Sequence, residues 1–487
     1  MNLEVLDAGS WSKTMFGDCD LGDKRLTARL VQIGEQLSAH TGNSLSGSCE
    51  GEASLLEGSY RFIRNERVEA KQIAESGYET TADLAQEIGL LLAIEDTTSL
   101  SYTHQVKDEL GDISSSEGSW KRGFIVHTTM LIDAEKEKTV GLIAQERWCR
   151  DSAEWGKKHQ RAERAYEEKE SYKWEKNTLA LEKRLGNKLK DVISICDREA
   201  DIYEYIQYKV ERNQRFIVRA SHNRKVKEDE VGVKKMLEHM ELGKIFGKYE
   251  VKIAQKAGRK KRVVEVEVKM ATVTLLPPER KKQGLRELKP IILNVVVAKE
   301  KNPMDDNETL EWILLTTEPV TTFDEARKIT RYYELRWRIE DFHKAWKSGT
   351  GVEEQRMQSV ENLEKMIVIL SFVAIRLLQL KECFEHERIL PNAEDICVSC
   401  DKLLSETEWK VLWATVEKKE LPQKIPNAAW AYKAIAKLGG WYDSKRTGKV
   451  AWSTLWKGWF RLNERIEGFL AATRLSQMEK KNVNKQM

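Results

Sequence analysis

The 487-residue sequence contains no proline before Pro277, although it has eight in total. No proline ring therefore interrupts the first half of the chain, where turns depend on Gly, Asn, Asp and Ser. Cysteine is also scarce: seven residues, odd in number, lie scattered at positions 19, 49, 149, 196, 383, 397 and 400. This pattern is typical of reduced thiols rather than of a disulfide framework, so we expect a cytoplasmic protein.

The chain also lacks a strong charge of one sign and a long apolar run. It has 81 Lys and Arg residues against 78 Asp and Glu residues, so any polyanion must be bound by local basic clusters. The longest apolar run, residues 366–380, is interrupted by Ser371, Arg376 and Gln379 and is shorter than the ~20 residues that a membrane span needs. We interpret it as a buried helix and expect no membrane partner.

Residues 1–70 are predicted to form a helical N-terminal domain. Leu26, Leu30, Ile33 and Leu37 have the spacing of one helix face, and a second short helix is predicted over residues 52–65. The segment has 7 Lys and Arg against 11 Asp and Glu, a net charge of −4, so DNA binding here would need a concentrated basic face.

The region after residue 88 has the pattern of a covered sheet. Apolar runs at 89–96, 123–133 and 138–148 predict three strands, followed by a helix at 163–185, a strand at 191–197, a helix at 201–212 and a strand at 215–221. This element order predicts an α/β fold with an RNase H-like catalytic core.

Three further features complete the predicted organisation. Residues from about 221 to 319 alternate with period two, which predicts an antiparallel β insertion in the core. A long helix is predicted from about Phe323, and the remainder is mostly helical. We therefore predict a catalytic domain over residues 71–365 and a helical C-terminal domain over residues 366–487.

Two aspartates follow predicted strands of this core. Asp96 comes after the run 90–94 and Asp197 after the run 192–196. Open α/β sheets place functional groups at such strand ends, so the two carboxylates could share a divalent cation.

A third carboxylate lies in the predicted helix that contains Tyr333. At 100° per residue, Tyr333, Arg336, Glu340 and Lys347 fall within an arc about 60° wide. A carboxylate, two cations and a phenol on one face do not form an apolar packing stripe. They predict a phosphate-facing surface with a metal ligand in its middle.

Three carboxylates suit Mg²⁺, which prefers hard oxygen ligands, and Mn²⁺ is expected to substitute for it. Two such ions could hold the attacking and leaving oxygens of a phosphoryl displacement, while Arg336 and Lys347 neutralise nearby phosphates. Each feature alone has a simpler interpretation: a strand-end Asp often forms a turn, and Arg336 with Glu340 could be a solvated i,i+4 pair. All three features together favour the metal site.

The sequence resembles bacterial cut-and-paste DDE transposases of the insertion-sequence-four family. The spacing of Tyr333, Arg336, Glu340 and Lys347 is similar to that family's Y-(2)-R-(3)-E-(6)-K signature. The segments LGDKRLTARL, LLAIEDTTSLSY, CDREADIY and LGGWYDSKRTG also resemble it, so the likeness covers nearly the whole chain. The separation of 143 positions from Asp197 to Glu340 agrees with the insertion that this family carries between its second and third acids.

The resemblance implies a role for each matching residue. Asp96, Asp197 and Glu340 would be the catalytic Mg²⁺ ligands. Trp312 would stack on an extruded base, although a buried strand tryptophan is an alternative. The implied contacts to transposon-end DNA are Tyr333, Arg336, Lys347 and Arg219 in the catalytic domain and Lys24, Arg25, Arg29, Arg61 and Arg64 in the N-terminal helices. The C-terminal helices would mediate a homodimer.

The expected function is a Mg²⁺-dependent transposase in the bacterial cytoplasm, associated with the nucleoid when bound to DNA. It would bind double-stranded transposon ends, cleave them by hydrolysis and hairpin formation, and join the 3′ ends to target DNA. Two alternatives stay open: a catalytically inactive DNA-binding or inhibitory relative, and an RNase H-like nuclease without strand transfer.

Overall fold

The structure, a computed structural model, divides into two compact units. The first comprises Met1–Thr80, Leu100–Leu110 and Asp341–Met487, and the second comprises Thr81–Ser99 and Gly111–Glu340. The structure describes residues 7–49, 51–114, 121–150, 164–228, 232–253, 262–279, 287–302, 309–389, 399–402, 404–442, 444 and 450–486.

The second unit is organised around one sheet of eleven strands. The strand order is β3-β2-β1-β4-β5-β11-β10-β9-β6-β7, and β8 also pairs with β9. The strands are β1 (Leu91–Ser101), β2 (Gly123–Asp133), β3 (Lys138–Trp148), β4 (Val192–Cys196), β5 (Arg215–Arg219), β6 (Lys225–Glu228), β7 (Gly232–Lys235), β8 (Gly247–Ile253), β9 (Arg262–Leu275), β10 (Ile291–Glu300) and β11 (Glu311–Thr316).

The first five strands confirm the predicted RNase H-like core. β4 is parallel to both β1 and β5, whereas β2 and β3 are antiparallel. Helix α5 (Lys173–Leu185) precedes β4 and helix α6 (Tyr203–Glu211) connects β4 to β5. All residues of β2 and β4 are buried, as expected for strands covered on both faces.

The predicted β insertion continues the same sheet. β9 pairs antiparallel with β8 and β10, and β11 pairs antiparallel with β10 and β5. The sequence did not predict the short strands β6 and β7 or helix α7 (Met236–Leu242). These elements are too short for a periodic pattern to be distinguished from a loop. Helices α8 (Phe323–Glu334) and α9 (Trp337–Lys344) follow β11.

The first unit is helical. The residues of the predicted apolar helix face are buried at Leu30, Ile33 and Leu37, and the apolar run 366–380 is a buried helix segment as predicted. No helix within the described residues is both long and apolar enough to cross a membrane. The helices are α1 (Ala8–Phe16), α2 (Lys24–Ala39), α3 (Ala53–Ile63), α4 (Ala70–Gln86), α10 (Val360–Ile389), α11 (Glu406–Val416), α12 (Ala428–Leu438) and α13 (Trp452–Gln486).

Helix α10 joins the N-terminal and C-terminal helices of this unit. The Lys365 ammonium donates to the carbonyl oxygens of Ile63 at 2.8 Å and Asn65 at 2.9 Å, at the end of α3. Ile63 is the last residue of α3, where carbonyl groups lack a partner within the helix, so Lys365 caps its C-terminal end. Gly77 lets Phe372 approach closely, since a Cβ at Gly77 would lie 2.2 Å from that ring. Residues 1–70 therefore share a core with α10. The division into three consecutive domains, expected from the sequence, remains a prediction.

Candidate active site

Asp96 and Asp197 lie side by side on the same face of the sheet. The parallel register of β1 and β4 pairs Leu91 with Val192 and ends with Ile94 opposite Ile195. Extending this register by two residues along both strands places Asp96 beside Asp197. Side chains alternate between the two faces of a strand, so their preceding residues point to the opposite face. Glu95 and Cys196 meet there, with Sγ 3.8 Å from Oε1.

Asp96 lies inside a strand, and the predicted strand end was therefore wrong. β1 runs to Ser101, five residues beyond Asp96. Only its pairing with β4 ends near this position, while its other neighbour in the sheet is β2. The backbone N–H of Thr97 donates to Asp96 Oδ1 at 2.8 Å, which orients the carboxylate.

Asp197 directly follows β4, as predicted. Its carboxylate accepts a hydrogen bond from the Glu199 backbone N–H at 2.8 Å and caps the 3₁₀ turn Arg198–Ala200. The simpler interpretation of a strand-end aspartate, that it forms a turn, therefore applies to one of the two carboxylate oxygens of Asp197. This bond holds the half-buried side chain at the end of the strand.

Arg336 lies between Asp96 and Glu340. Its Nη1 lies 3.4 Å from Asp96 Oδ2, and its Nη2 lies 3.1 Å from Glu340 Oε1. The i,i+4 pair with Glu340 was foreseen as the simpler interpretation of this helix. That interpretation does not account for Asp96, which is 240 positions away in the chain. One guanidinium thus contacts two of the three candidate ligands.

The helix that carries Glu340 is not continuous, so the predicted single arc over residues 333–347 was wrong. α8 ends at Glu334 and α9 begins at Trp337. Between them, Arg336 N–H bonds to Tyr333 O and Ile339 N–H bonds to Arg336 O, both three residues apart. Such 3₁₀ bonds turn the chain by more than 100° per residue. Arg336 lies at this break and contacts Asp96.

The electrostatics of the site depend on burial and on this arginine. Burial raises the pKa of the Asp96 carboxyl, and the nearby charges of Asp197 and Glu340 act in the same direction. Arg336 opposes the shift without cancelling it. Asp197 is thus within electrostatic range of both Asp96 and Arg336. The site concentrates three negative charges around one fixed positive charge.

Tyr333, Arg219 and Trp312 form a second group in the same unit. The Trp312 and Tyr333 rings meet edge to face with centroids 5.9 Å apart, and both side chains are buried. Arg219 Nη2 donates to Glu311 O at 2.8 Å and interacts with the Tyr333 hydroxyl. Burial raises the pKa of Tyr333, so the phenol keeps its proton at neutral pH. Trp312 is thus a buried strand tryptophan, which the sequence analysis gave as the alternative to a base-stacking residue.

Trp337 is an exposed aromatic residue that the sequence analysis did not select. Its side chain is 56% exposed, and the Arg336 guanidinium carbon lies 5.5 Å from its ring centroid. An exposed indole beside an arginine that contacts two of the candidate ligands offers a flat surface for stacking at the edge of the candidate site. Its position between two arginines, in RWR, was the available signal.

Lys347 lies in the first unit, in the π-helical turn Ala345–Gly349. The side chain is half-buried. π-Helical turns inside helices are rare and occur often at functional sites. The role of Lys347 in DNA contact stays a prediction.

The N-terminal basic residues lie on or next to α2 and α3. Arg25 pairs with Asp23 at 2.8 Å and Arg61 contacts Glu57 at 2.5 Å. Arg64 stacks over Tyr60, at 5.4 Å from the ring centroid. Lys24 is exposed and Arg29 is half-buried, bonded to Gln32 at 2.6 Å. DNA phosphates could compete for the exposed guanidinium groups because surface ion pairs are weak.

Asp201 anchors the loop after β4 and was also missed. Its fully buried carboxylate contacts Arg224 at 2.5 Å and accepts hydrogen bonds from the backbone N–H groups of Ser221 and His222. Burial acts to raise the pKa of Asp201, but Arg224 and these bonds outweigh it and the pKa is lowered. The loop after Asp197 is thereby tied to the loop after Arg219.

The ligand chemistry of the three acids fits a divalent cation. All three offer hard carboxylate oxygens. The pKa of Asp96 is raised mainly by burial and to a smaller extent by the charges of Asp197 and Glu340, and a bound cation would offset both effects. Within the described residues, however, no three acidic, histidine or cysteine side chains are grouped closely enough to hold an ion. Arg336 lies between two of the acids, so binding an ion would require these side chains to rearrange.

Two protein-family models match this chain. Residues 8–68 match a family described as transposase DNA-binding, and residues 173–377 match one described as transposase DDE domain. The first match contains α1, α2 and α3 with their basic residues. The second contains Asp197 and Glu340 and begins after Asp96. The matches agree with the RNase H-like core described above.

Proposed function

We propose that this transposase, with a DNA-binding domain and a DDE domain, performs cut-and-paste transposition. The DNA-binding segment supports DNA as its partner, and DDE domains act with divalent metal ions. The protein binds specific ends of a mobile element, cleaves them and joins the freed 3′ ends to target DNA. It would act on DNA at the nucleoid of a bacterial cytoplasm.

The contact of Arg336 with both Asp96 and Glu340 carries this proposal. A strand residue and a helix residue 244 positions apart in the chain meet at one guanidinium, beside the carboxylate of Asp197. A phosphodiester group needs neutralisation of its charge together with acidic ligands for cations, and this arrangement supplies both. The site therefore favours phosphoryl transfer.

Asp96, Asp197 and Glu340 would hold the divalent ions, with Mg²⁺ preferred and Mn²⁺ as a substitute. When bound, two such ions would activate the attacking oxygen as a nucleophile and stabilise the charge on the leaving oxygen. The protein orients these ligands through the Thr97 and Glu199 backbone N–H groups.

The same residues can serve each reaction in turn. A water molecule first hydrolyses one strand, and the resulting 3′-OH then attacks the opposite strand to form a hairpin. A second water molecule opens the hairpin, and the 3′-OH finally attacks target DNA. Arg336 would pair with the phosphate at the reacting centre, through its planar fork of donors.

Further DNA contacts come from both units. Tyr333, Arg219 and Lys347 would contact phosphates of the transposon end, and Lys24, Arg25, Arg29, Arg61 and Arg64 would bind the end farther from the cleavage point. Base stacking is assigned to Trp312 by the family resemblance. The exposed indole of Trp337 supplies a second stacking surface next to Arg336.

We further propose that the protein acts as a homodimer through its C-terminal helices. α13 exposes Phe469, Leu475 and Met478, three large apolar side chains on one helix. Leu475 and Met478 are three residues apart and lie on one face of the helix, where a protein partner would cover them. A second copy of the chain would allow each catalytic domain to cut an end held by its partner.

Cleavage of candidate transposon ends in the presence of Mg²⁺ tests the function. Asp197→Ala or Glu340→Ala should abolish cleavage and leave end binding in EDTA unchanged. Glu199→Gln is the matched control, because its exposed side chain lies two residues from Asp197 and pairs with Lys173. Cleavage at the normal rate by Asp197→Ala or by Glu340→Ala would refute the mechanism.

Two other outcomes would favour the alternatives. End binding without any cleavage by the unmodified protein would indicate an inactive or inhibitory relative. Cleavage of scrambled ends at the same rate, without joining to target DNA, would indicate a nuclease.

A further inference from the structure

Glu95 and His127 form a buried polar pair behind Asp96. Both side chains are fully inaccessible to solvent, and Glu95 Oε2 lies 3.4 Å from His127 Nε2. Burying a carboxylate away from water is unfavourable unless it has polar or charged partners. Apolar packing alone therefore does not explain this pair.

His127 also contacts the residue on the other side of Asp96. Its Nδ1 lies 3.0 Å from the Thr97 hydroxyl oxygen. Within the described residues neither His127 Nε2 nor Glu95 Oε2 forms a hydrogen bond, so these two atoms make a close polar contact only, whereas Nδ1 shares a hydrogen bond with the Thr97 hydroxyl. A single imidazole on β2 is thus linked to both neighbours of Asp96 on β1.

This arrangement constrains the Asp96 carboxylate through the strand. Glu95 and Thr97 point to one face of β1, so Asp96 points to the other. The Thr97 backbone N–H donates to Asp96 Oδ1 at 2.8 Å. Fixing the Thr97 side chain fixes the direction of this N–H group, and with it one oxygen of the candidate ligand.

The surroundings hold the imidazole in place. The Trp174 ring meets it edge to face with centroids 4.5 Å apart. Lys209, fully buried on α6, donates to Ser194 at 2.9 Å and interacts electrostatically with Glu95. Trp174 and Lys209 thus pack around Glu95 and His127 on the face of β1 opposite to Asp96.

We propose that His127 is a positioning residue for divalent-metal binding, acting through Thr97 on Asp96. The inference rests on the proposed function, since it takes Asp96 as a metal ligand. Residues that orient a ligand typically contribute a factor of about 10–100 to metal affinity or activity. His127 itself would touch neither the metal nor the DNA.

The test measures Mn²⁺ binding to the full-length, DNA-free protein from the electron paramagnetic resonance signal of free Mn²⁺. Thr97→Val removes the hydroxyl and keeps the side-chain shape, and should weaken Mn²⁺ binding by about tenfold. Thr97→Ser restores the hydroxyl and should recover most of this loss. The Mg²⁺ concentration for half-maximal cleavage should shift in the same direction, with end binding unchanged.

Thr129→Val is the matched control. Thr129 is also buried on β2, two residues from His127, and its hydroxyl accepts a hydrogen bond from Asn177 at 2.8 Å. The control removes the same group from the same sheet without touching Asp96. Its Mn²⁺ affinity should equal that of the unmodified protein.

His127→Gln should weaken binding as Thr97→Val does; if it fails to fold, the Thr97 variants decide. Unchanged affinity in Thr97→Val, or an equal loss in Thr129→Val, would overturn the inference. Asp96→Asn separates this failure from failure of the proposed function. If Asp96→Asn loses Mn²⁺ binding while Thr97→Val does not, only the positioning role is wrong. If Asp96→Asn binds normally, the assignment of Asp96 as a ligand is wrong.

Discussion

The Arg336 guanidinium lies 3.4 Å from the Asp96 carboxylate, across 240 positions of sequence. The same group also contacts Glu340 at 3.1 Å. Arginine remains charged at any pH that the protein tolerates, so it acts as an internal cation for these acids. The carboxylates are thereby held near one another by the chain itself.

Replacement of Arg336 by Gln should have opposite effects on metal binding and catalysis. Loss of the internal cation should strengthen Mn²⁺ binding to the DNA-free protein, because no positive charge competes for the acids. End cleavage should fall on the order of 100-fold, because a donor to the reacting phosphate is lost. Titration of Mn²⁺ and a cleavage time course measure the two effects.

Arg331→Gln is the control for that change, because Arg331 lies on α8 and pairs with Glu137 and Glu334 instead. It should alter neither quantity. Weaker Mn²⁺ binding in Arg336→Gln would contradict the role of an internal cation and indicate that Arg336 only organises the acids.

Trp337→Ala and Trp312→Ala should differ in their effect on stability. Trp337 is largely exposed, so its removal should change unfolding free energy by less than about 0.5 kcal/mol. Trp312 is 8% exposed, and its removal should cost about 3–5 kcal/mol. Thermal unfolding of the two variants compares them directly.

If Trp337 is a stacking surface, Trp337→Ala should also weaken stacking of an extruded base by about 1–3 kcal/mol. Stacking on an aromatic side chain quenches the fluorescence of a 2-aminopurine base at the transposon end. The complex of Trp337→Ala with this DNA should therefore be more fluorescent than the complex of the unmodified protein. Quenching that persists in Trp337→Ala and disappears in Trp312→Phe would assign the stacking to Trp312.

Asp201→Asn should loosen the loops that follow Asp197 and Arg219. Breaking a buried ion pair leaves Arg224 without its partner and costs about 3–5 kcal/mol. Hydrogen exchange of the peptide containing β5 should therefore accelerate. Arg215→Gln is the control, since its pair with Glu318 is partly exposed and should matter less. Equal acceleration in both variants would argue against a special role for Asp201.

The pKa of Asp201 also predicts a pH dependence. Because the pKa is lowered in the folded state, the stability that Asp201 contributes is present above its unfolded pKa and is lost as pH falls through the folded pKa. Exchange in the unmodified protein should accelerate on acidification, after correction for the intrinsic exchange rate. Asp201→Asn should lack this component.

Arg64→Ala should weaken binding to transposon ends. If Arg64 contacts one phosphate, the dependence of log affinity on log salt concentration should become shallower by about one unit. Arg67→Ala, in the same exposed segment, is the control for a general charge effect. An equal change in both variants would indicate nonspecific attraction instead of a defined contact.

The sequence predicted the strands of the core well because each is a short apolar run. β4 is an example: five buried residues precede Asp197, and its position at the strand end was correctly inferred. Asp96 was misplaced within its strand because polar residues follow it, and polarity does not end a strand that still pairs with a neighbour.

The break between α8 and α9 was not predictable from local rules. No Gly or Pro lies between Tyr333 and Lys347, so the pattern indicated one continuous helix. The 3₁₀ bonds around Arg336 accompany a tertiary contact with Asp96, which no local window contains. Glu95 and His127 were missed for a related reason, since charged and polar residue types usually indicate exposed positions.

The strand β11 makes the insertion inseparable from the rest of the sheet. It covers the edge of β5 that would otherwise present unpaired backbone groups. A variant shortened by deleting residues 221–319 would expose that edge beside Arg219 and become prone to aggregation. The edge of β5 would stay covered in a smaller variant only if the last strand of the insertion, β11, were kept.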